Sequence, residues 1–238
     1  MSDTKNISLI STSVIPEEVI RNAADNGVMI TDTPFINVTL TRDEKAIEQI
    51  KALEDKHITA IFTSLNAITS VTNHLATKPN WQVYCMSGVS KPAVINFFGE
   101  TALAGTGSNA KQLAEAAIAN KPAGEVVFFC GNKRLPDLPE TLASAGIPLT
   151  EVEVYHTVKT PHLLENKNYN AIAFFSPSSV ESFFENNTLQ PDVVAFTVGQ
   201  TTANKIKQYC DNTVIISNKP GKENLVQTVI EYFNTRTI

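Results

Sequence analysis

Short, almost wholly apolar runs that alternate with amphipathic stretches predict an α/β protein built on parallel sheets. Runs such as Ala60-Ile61-Phe62, Val126 to Phe129 and Ala171 to Phe175 have no polar side, so both of their faces need cover. A further observation, an internal repeat with one part displaced along the chain, turns one such fold into two similar lobes.

The elements follow in order. Ile7 to Ile10 reads as a strand. Pro16-Glu17-Glu18 opens a helix, with proline and acids where an N-terminus accepts them, and Asn26-Gly27 stops it. Val28 to Ile30 and Phe35 to Leu40 are extended. Glu44 to Lys56 is helical, with Ile47, Ile50 and Leu53 on one face. Ala60 to Phe62 is a strand, Asn66 to Leu75 a helix, Gln82 to Met86 a strand and Ala110 to Ile118 an alanine-rich helix. Val126 to Phe129 is a strand, Pro139 to Ala145 a helix stopped by Gly146, and Glu151 to Thr157 is extended. Ala171 to Phe175, Val193 to Phe196 and Val214 to Ile216 are strands, followed respectively by helices at Ser179 to Asn186, Thr202 to Tyr209 and Lys222 to Phe233.

The repeat sets the domain organisation. Phe62 to Ile68 matches Phe174 to Val180, and Lys111-Gln112-Leu113 matches Glu223-Asn224-Leu225, both 112 residues apart; Ser87-Gly88 matches Val198-Gly199 one residue closer. The unit Val126 to Gly146 finds its partner at the start of the chain, Ile7 to Gly27. One lobe is therefore expected from residues 1–35 plus 160–238, and an inserted lobe from 42–150. The segments 35–41 and 151–159 connect them and suit a two-stranded ladder. A cleft between two such lobes is a natural place for a ligand.

Composition narrows the function. Of 238 residues, 42% are hydrophobic and 18% charged, which suits a folded core and excludes disorder. A net charge of −5 argues against general affinity for nucleic acid or anionic lipid. Cys85, Cys130 and Cys210 are far apart, which excludes a disulfide scaffold and points to a reducing compartment. The segment Met1 to Ser13 lacks the apolar core of an export signal, and no run is long enough to span a bilayer. The expectation is a soluble cytoplasmic protein.

Several motifs in chain order point further: Phe62-Thr63-Ser64, Leu138-Pro139-Glu140-Thr141-Leu142, Val154-Tyr155-His156-Thr157, Phe174-Phe175-Ser176-Pro177-Ser178 and Val198-Gly199-Gln200-Thr201-Thr202-Ala203. In these the chain resembles the uroporphyrinogen-III synthase family. The resemblance implies two flavodoxin-like α/β lobes with parallel sheets, joined by a two-stranded β-ladder, with the active site in the cleft. It implies a monomer that needs neither metal nor organic cofactor. The implied substrate is hydroxymethylbilane, a linear tetrapyrrole and polycarboxylate. Loss of hydroxide from ring A gives an azafulvene cation, and the substituted end of ring D attacks it to form a spirocyclic pyrrolenine. That intermediate opens and recloses with ring D inverted, giving uroporphyrinogen III. Without the enzyme the bilane closes to isomer I, so the catalytic task is largely positioning.

By this resemblance Tyr155 matches the family's functional tyrosine. Its phenol can protonate or hydrogen-bond the departing hydroxide; the plain alternative is a strand tyrosine that packs its ring. Ser64, Ser176 and Ser178 stand where strands end and helices begin, and Thr201 and Thr202 follow Gly199 in the same setting. Each suits an N-cap. The same loops present N–H groups and hydroxyls to carboxylates. The chain departs from the family at Gly88 to Pro92, where Lys91-Pro92 replaces the usual Thr-Ala and offers a cation. Lys91 is either a carboxylate ligand or a solvated lysine. Lys133-Arg134 occupies a loop where relatives carry arginines, and Ser11 to Val14 lacks the usual Arg-Pro.

Other chemistries find little footing. His57, His74, His156 and His162 show no metal-ligand spacing, and His156 should point away from Tyr155. Gly105-Thr106-Gly107 lacks the continuation of a nucleotide-binding loop, and there is no GxSxG elbow. The rival from another class is a two-lobed, non-catalytic small-ligand binder. A single flavodoxin-like signalling domain conflicts with the doubled repeat.

Overall fold

A computed structural model describes residues 6–235. The first five residues, on which the absence of an export signal partly rests, lie outside that range. The described chain forms two compact units, one of residues up to Asn37 and from Val158 onward, the other Val38–Thr157.

The first unit contains β1 (Ile7–Ser11), α1 (Glu17–Asp25) and β2 (Val28–Asp32). The second is entered within β3 (Ile36–Leu40) and runs through α2 (Glu44–Leu53), β4 (Ile58–Phe62), α3 (Leu65–Thr72), β5 (Gln82–Met86), α4 (Ser90–Phe98), β6 (Leu103–Gly107), α5 (Ala110–Ala119), β7 (Glu125–Gly131) and α6 (Asp137–Ser144). The chain returns within β8 (Thr150–Lys159) and completes the first unit with β9 (Ala171–Phe174), α7 (Pro177–Asn186), β10 (Val194–Thr197), α8 (Gln200–Ile206), β11 (Val214–Ile216) and α9 (Lys222–Asn234). The class is therefore mixed α/β with two sheets dominated by parallel pairing.

The sheet of the first unit has the order β11-β10-β9-β1-β2, and that of the second β3-β8-β7-β4-β5-β6. Read from β6 to β8, the second repeats the first strand for strand, with β9 in the place of β4 and β1 in the place of β7. At the edge, Thr41 N–H donates to the Val154 carbonyl at 2.9 Å and Thr160 N–H to the Phe35 carbonyl at 3.0 Å. One number rises as the other falls, so β3 and β8 run antiparallel.

Strand periodicity explains the apolar runs. In the first unit Leu9, Ala171, Ala173 and Phe196 pack on one face with Leu225 and Val229, while Ile10, Ile172, Phe174 and Ala195 pack on the other with Val180 and Phe183. In the second, Ala60, Phe62, Val83, Val127 and Phe129 share one face, and Ile61, Tyr84, Val126 and Phe128 the other. The faces of the central strands are shielded from water and mainly apolar, with the small hydroxyl residues Ser11, Thr59 and Thr197 buried among them. Burying each phenylalanine contributes roughly 2–3 kcal/mol before the entropy of ordering it. Gly27 and Gly146 terminate α1 and α6, the paired helices of the repeat, with φ of 77° and 72° where a side chain would be strained.

Two elements depart from the expectation. No helix is read from the sequence between Met86 and Ala110, yet Ser90 begins α4, and Pro92 is accepted because it falls in the first turn, where its missing N–H costs no hydrogen bond. The glycine-bearing segment Leu103–Gly107 is an edge strand, β6. Gly105 is admitted there by the Tyr84 ring, which a β-carbon would approach to 2.9 Å.

Candidate active site

In an open parallel sheet, ligands gather at the carboxyl ends of the strands where the winding direction reverses. In the second unit that point lies between β4 and β7, and in the first between β9 and β1. Ser64 follows β4 after one residue, Thr63, Gly131 ends β7, and Tyr155 lies on the adjacent β8.

A register shift brings these residues together. Cys130 pairs with Glu153 but Gly131 pairs with Tyr155, so Val154 is the extra residue of a bulge. Its side chain is buried, and its carbonyl accepts hydrogen bonds from Thr41 N–H and from the buried hydroxyl of Ser70 on α3. Beyond the shift, the Asn132 side chain stands in for the ladder, accepting from Thr157 N–H at 2.8 Å and donating to the Thr157 carbonyl at 3.3 Å. The bulge leaves Tyr155 half-buried against the Phe62 and Phe129 face, while His156 is exposed and paired with Glu153 at 2.7 Å.

Burial pushes the Tyr155 phenol above its ordinary value, and a side-chain hydrogen bond with Ser64 holds the shift back. Ser64 also accepts from Asn66 N–H at 3.1 Å as the N-cap of α3. The neighbouring Cys130 thiol is pushed up to about 12, first by burial and then by Glu151. It is therefore an inert neutral group at neutral pH. Arg134 is taken up by Glu151, with Nη2 at 2.9 Å from Oε1, and so is not a free cation in that loop.

In the first unit Ser176 caps α7 through a full capping box with Ser179. Ser178, Thr201 and Thr202 are not caps, contrary to the sequence reading. Ser178 lies inside α7, and Gly199 occupies the cap position of α8 with extended backbone, so Thr201 and Thr202 fall within that helix's first turn. Thr201 is exposed and Thr202 is buried. Lys91 is exposed in the first turn of α4, an end whose partial positive charge disfavours a cation and favours an anion beside it. No ion pair of Lys91 occurs among the described residues.

Sequence reasoning passed over Gly131, Asn132 and Ser70, whose roles depend on the bulge, and Lys222, whose ammonium donates to the Val14 carbonyl at 2.6 Å and lies over the Phe175 ring. The Gly131-Asn132 pair at the end of an apolar run was the one local signal.

The family model described as uroporphyrinogen-III synthase HemD matches residues 17–227. The chain belongs to the uroporphyrinogen-III synthase family. Solved structures share the fold at low identity. A mutant uroporphyrinogen III synthase from the extremely thermophilic bacterium Thermus thermophilus superposes with a TM-score of 0.67 at 15% identity, over 97% of this chain and 99% of that one. The uroporphyrinogen-III synthetase of Helicobacter pylori gives 0.63 at 15% identity, over 95% and 99%. The wild-type Thermus enzyme in another crystal form gives 0.54 at 16%, over 98% and 100%. Membership makes this chain an enzyme of porphyrin biosynthesis, a uroporphyrinogen-III synthase by family, and disfavours the non-catalytic binder. Among the described residues no helix is long and apolar enough to cross a membrane.

Proposed function

We propose that this chain cyclises hydroxymethylbilane with inversion of ring D, and that Tyr155 is the group that assists departure of the ring A hydroxyl. The observation that carries the reading is the register shift that seats Tyr155 against Gly131, beside Ser64, at the winding reversal of the second unit. The phenol is neutral at physiological pH and acts as a donor. As the carbon–oxygen bond breaks, hydroxide takes the phenolic proton and leaves as water. The proton released when the closing pyrrole regains aromaticity restores the phenol. Ser64 holds the phenol's orientation.

Carboxylates are held at the strand ends of each unit, by the N–H groups and hydroxyls around Ser64 and the Lys91 ammonium in one, and around Ser176, Ser178, Gly199, Thr201 and Thr202 in the other. This is how an acidic chain binds a polycarboxylate, by local groups rather than bulk charge. Three free cysteines support a reducing, cytoplasmic setting, and the family likeness supports a monomer.

The test is direct. Purified protein mixed with fresh hydroxymethylbilane should give mainly uroporphyrinogen III, resolved from isomer I by chromatography. Unaltered formation of isomer I would overturn the reading.

A further inference from the structure

Strand β7 ends at Gly131, where the chain turns, so β8 loses its ladder partner on that side just beyond Tyr155. The backbone groups of β8 that face the missing strand still need partners, because Thr157 is buried. Asn132 supplies them. Its N–H donates to the Tyr155 carbonyl at 3.3 Å. Two residues on, its side chain accepts from Thr157 N–H at 2.8 Å and donates to the Thr157 carbonyl at 3.3 Å. One residue thus closes three hydrogen bonds on the segment 155–157.

Asn132 is itself held. Arg134 N–H donates to the Gly131 carbonyl at 3.1 Å and closes the turn, and the Arg134 guanidinium pairs with Glu151 on β8. The turn is therefore fastened to β8 both before and after the tyrosine. The side chain that does this is chemically specific. A carboxamide carries a donor and an acceptor on one short arm, whereas a carboxylate lacks the donor and an alkyl group lacks both.

The tyrosine sits between two fixed points. Before it, the Val154 carbonyl accepts from Thr41 N–H and from the Ser70 hydroxyl. After it comes His156, which is exposed and outside the core, and then the clamped Thr157. Without the clamp the second point is gone, and the strand that carries the phenol is fixed at one end only.

We infer that Asn132 is a positioning residue for the reaction: by clamping Thr157 it keeps the Tyr155 phenol against Ser64. The inference rests on the reading of Tyr155 as donor to the departing hydroxyl. Asn132 acts through the tyrosine and makes no demand on the substrate itself.

The test pairs a spectrum with kinetics, both on the full chain. In protein isotopically labelled at tyrosine Cζ, the Tyr155 resonance at neutral pH is the one lost in Tyr155→Phe. In Asn132→Ala it should move in the same direction as in Ser64→Ala. Asn132 is exposed, so the substitution leaves the core intact, and a thermal melt checks this. The kcat for isomer III should fall roughly tenfold or more, with KM within about twofold of the parent. In a Tyr155→Phe background Asn132→Ala should cost nothing further, since both act through one hydroxyl. An unmoved Tyr155 resonance would overturn the inference. So would a kinetic loss that persists in full in the Tyr155→Phe background, or one that falls on KM alone. Parental kinetics in Tyr155→Phe itself would refute the donor reading instead, and the resonance would still decide whether Asn132 places the ring.

Discussion

Gly131 lies against the ring of Tyr155, and a β-carbon on it would stand 2.4 Å from both Cε2 and Cζ. No real side chain tolerates that approach, so the glycine is the space into which the tyrosine ring settles. The contact exists because the Val154 bulge shifts the register by one residue, placing Tyr155 rather than Val154 opposite Gly131.

Gly131→Ala should therefore act on Tyr155 first. The added methyl displaces the ring from Ser64 and costs about 1–3 kcal/mol of stability by overpacking. In the cyclisation assay the yield of isomer III should fall at least as far as in Tyr155→Phe. Wild-type product ratios from a folded Gly131→Ala protein would remove the positioning role.

The Ser64–Tyr155 pair makes a different prediction. Tyr155→Phe keeps the ring in its packing and removes only the hydroxyl, so thermal stability should shift little while the rate of isomer III formation drops. Ser64→Ala loses the α3 cap as well, at about 1 kcal/mol. In the double variant the kinetic losses should not add, because both act through one hydroxyl. Additive losses would show that Ser64 acts on substrate independently.

Ser176 and Thr202 separate capping from binding. Ser176→Ala should cost about 1 kcal/mol in chemical denaturation, since it removes the capping box of α7. Thr202→Val conserves shape and removes no cap, because Gly199 holds that position. Its stability should stay within about 1 kcal/mol of the parent, while KM for the bilane rises. A Thr202→Val protein with unchanged KM would clear that hydroxyl of any part in binding.

The thiols set an alkaline limit. Burial pushes Cys85 up to about 11 and Cys130 to about 12, from an ordinary value of 9.0. Between the ordinary and the folded values the folded state holds protons that the unfolded chain has lost, so stability falls as pH rises through that window. Thermal melts should show a Tm that declines steadily above about pH 9, with little contribution from these thiols below it. In native protein at about pH 8, the half-buried Cys210 should be the first thiol to react with a colorimetric reagent, with Cys85 and Cys130 following only in denaturant.

Much of the fold was legible because burial on both faces forces apolar strands, and because helix stops such as Gly27 and Gly146 obey local backbone rules. The segment Ser90–Phe98 was not legible as a helix. Its proline and its β-branched and aromatic residues carry no helical preference, and packing of Val94 and Phe98 into the core decides its state. Ser64 and Ser176 could be read as caps from their place before a helix. Ser178, Thr201 and Thr202 could not be excluded as caps, since a one-residue difference in where a helix begins changes which side chain reaches the free N–H groups.

The sequence by itself determined the α/β alternation, the displaced repeat and Tyr155 as a residue worth testing. Those features are written in short-range pattern or in motifs. Only the tertiary structure decided that Tyr155 meets Ser64 and Gly131. The carbonyl of the bulge that turns it there accepts from the Ser70 hydroxyl, 84 residues away. A one-residue shift of register held by so distant a donor leaves no trace in the local periodicity of either strand.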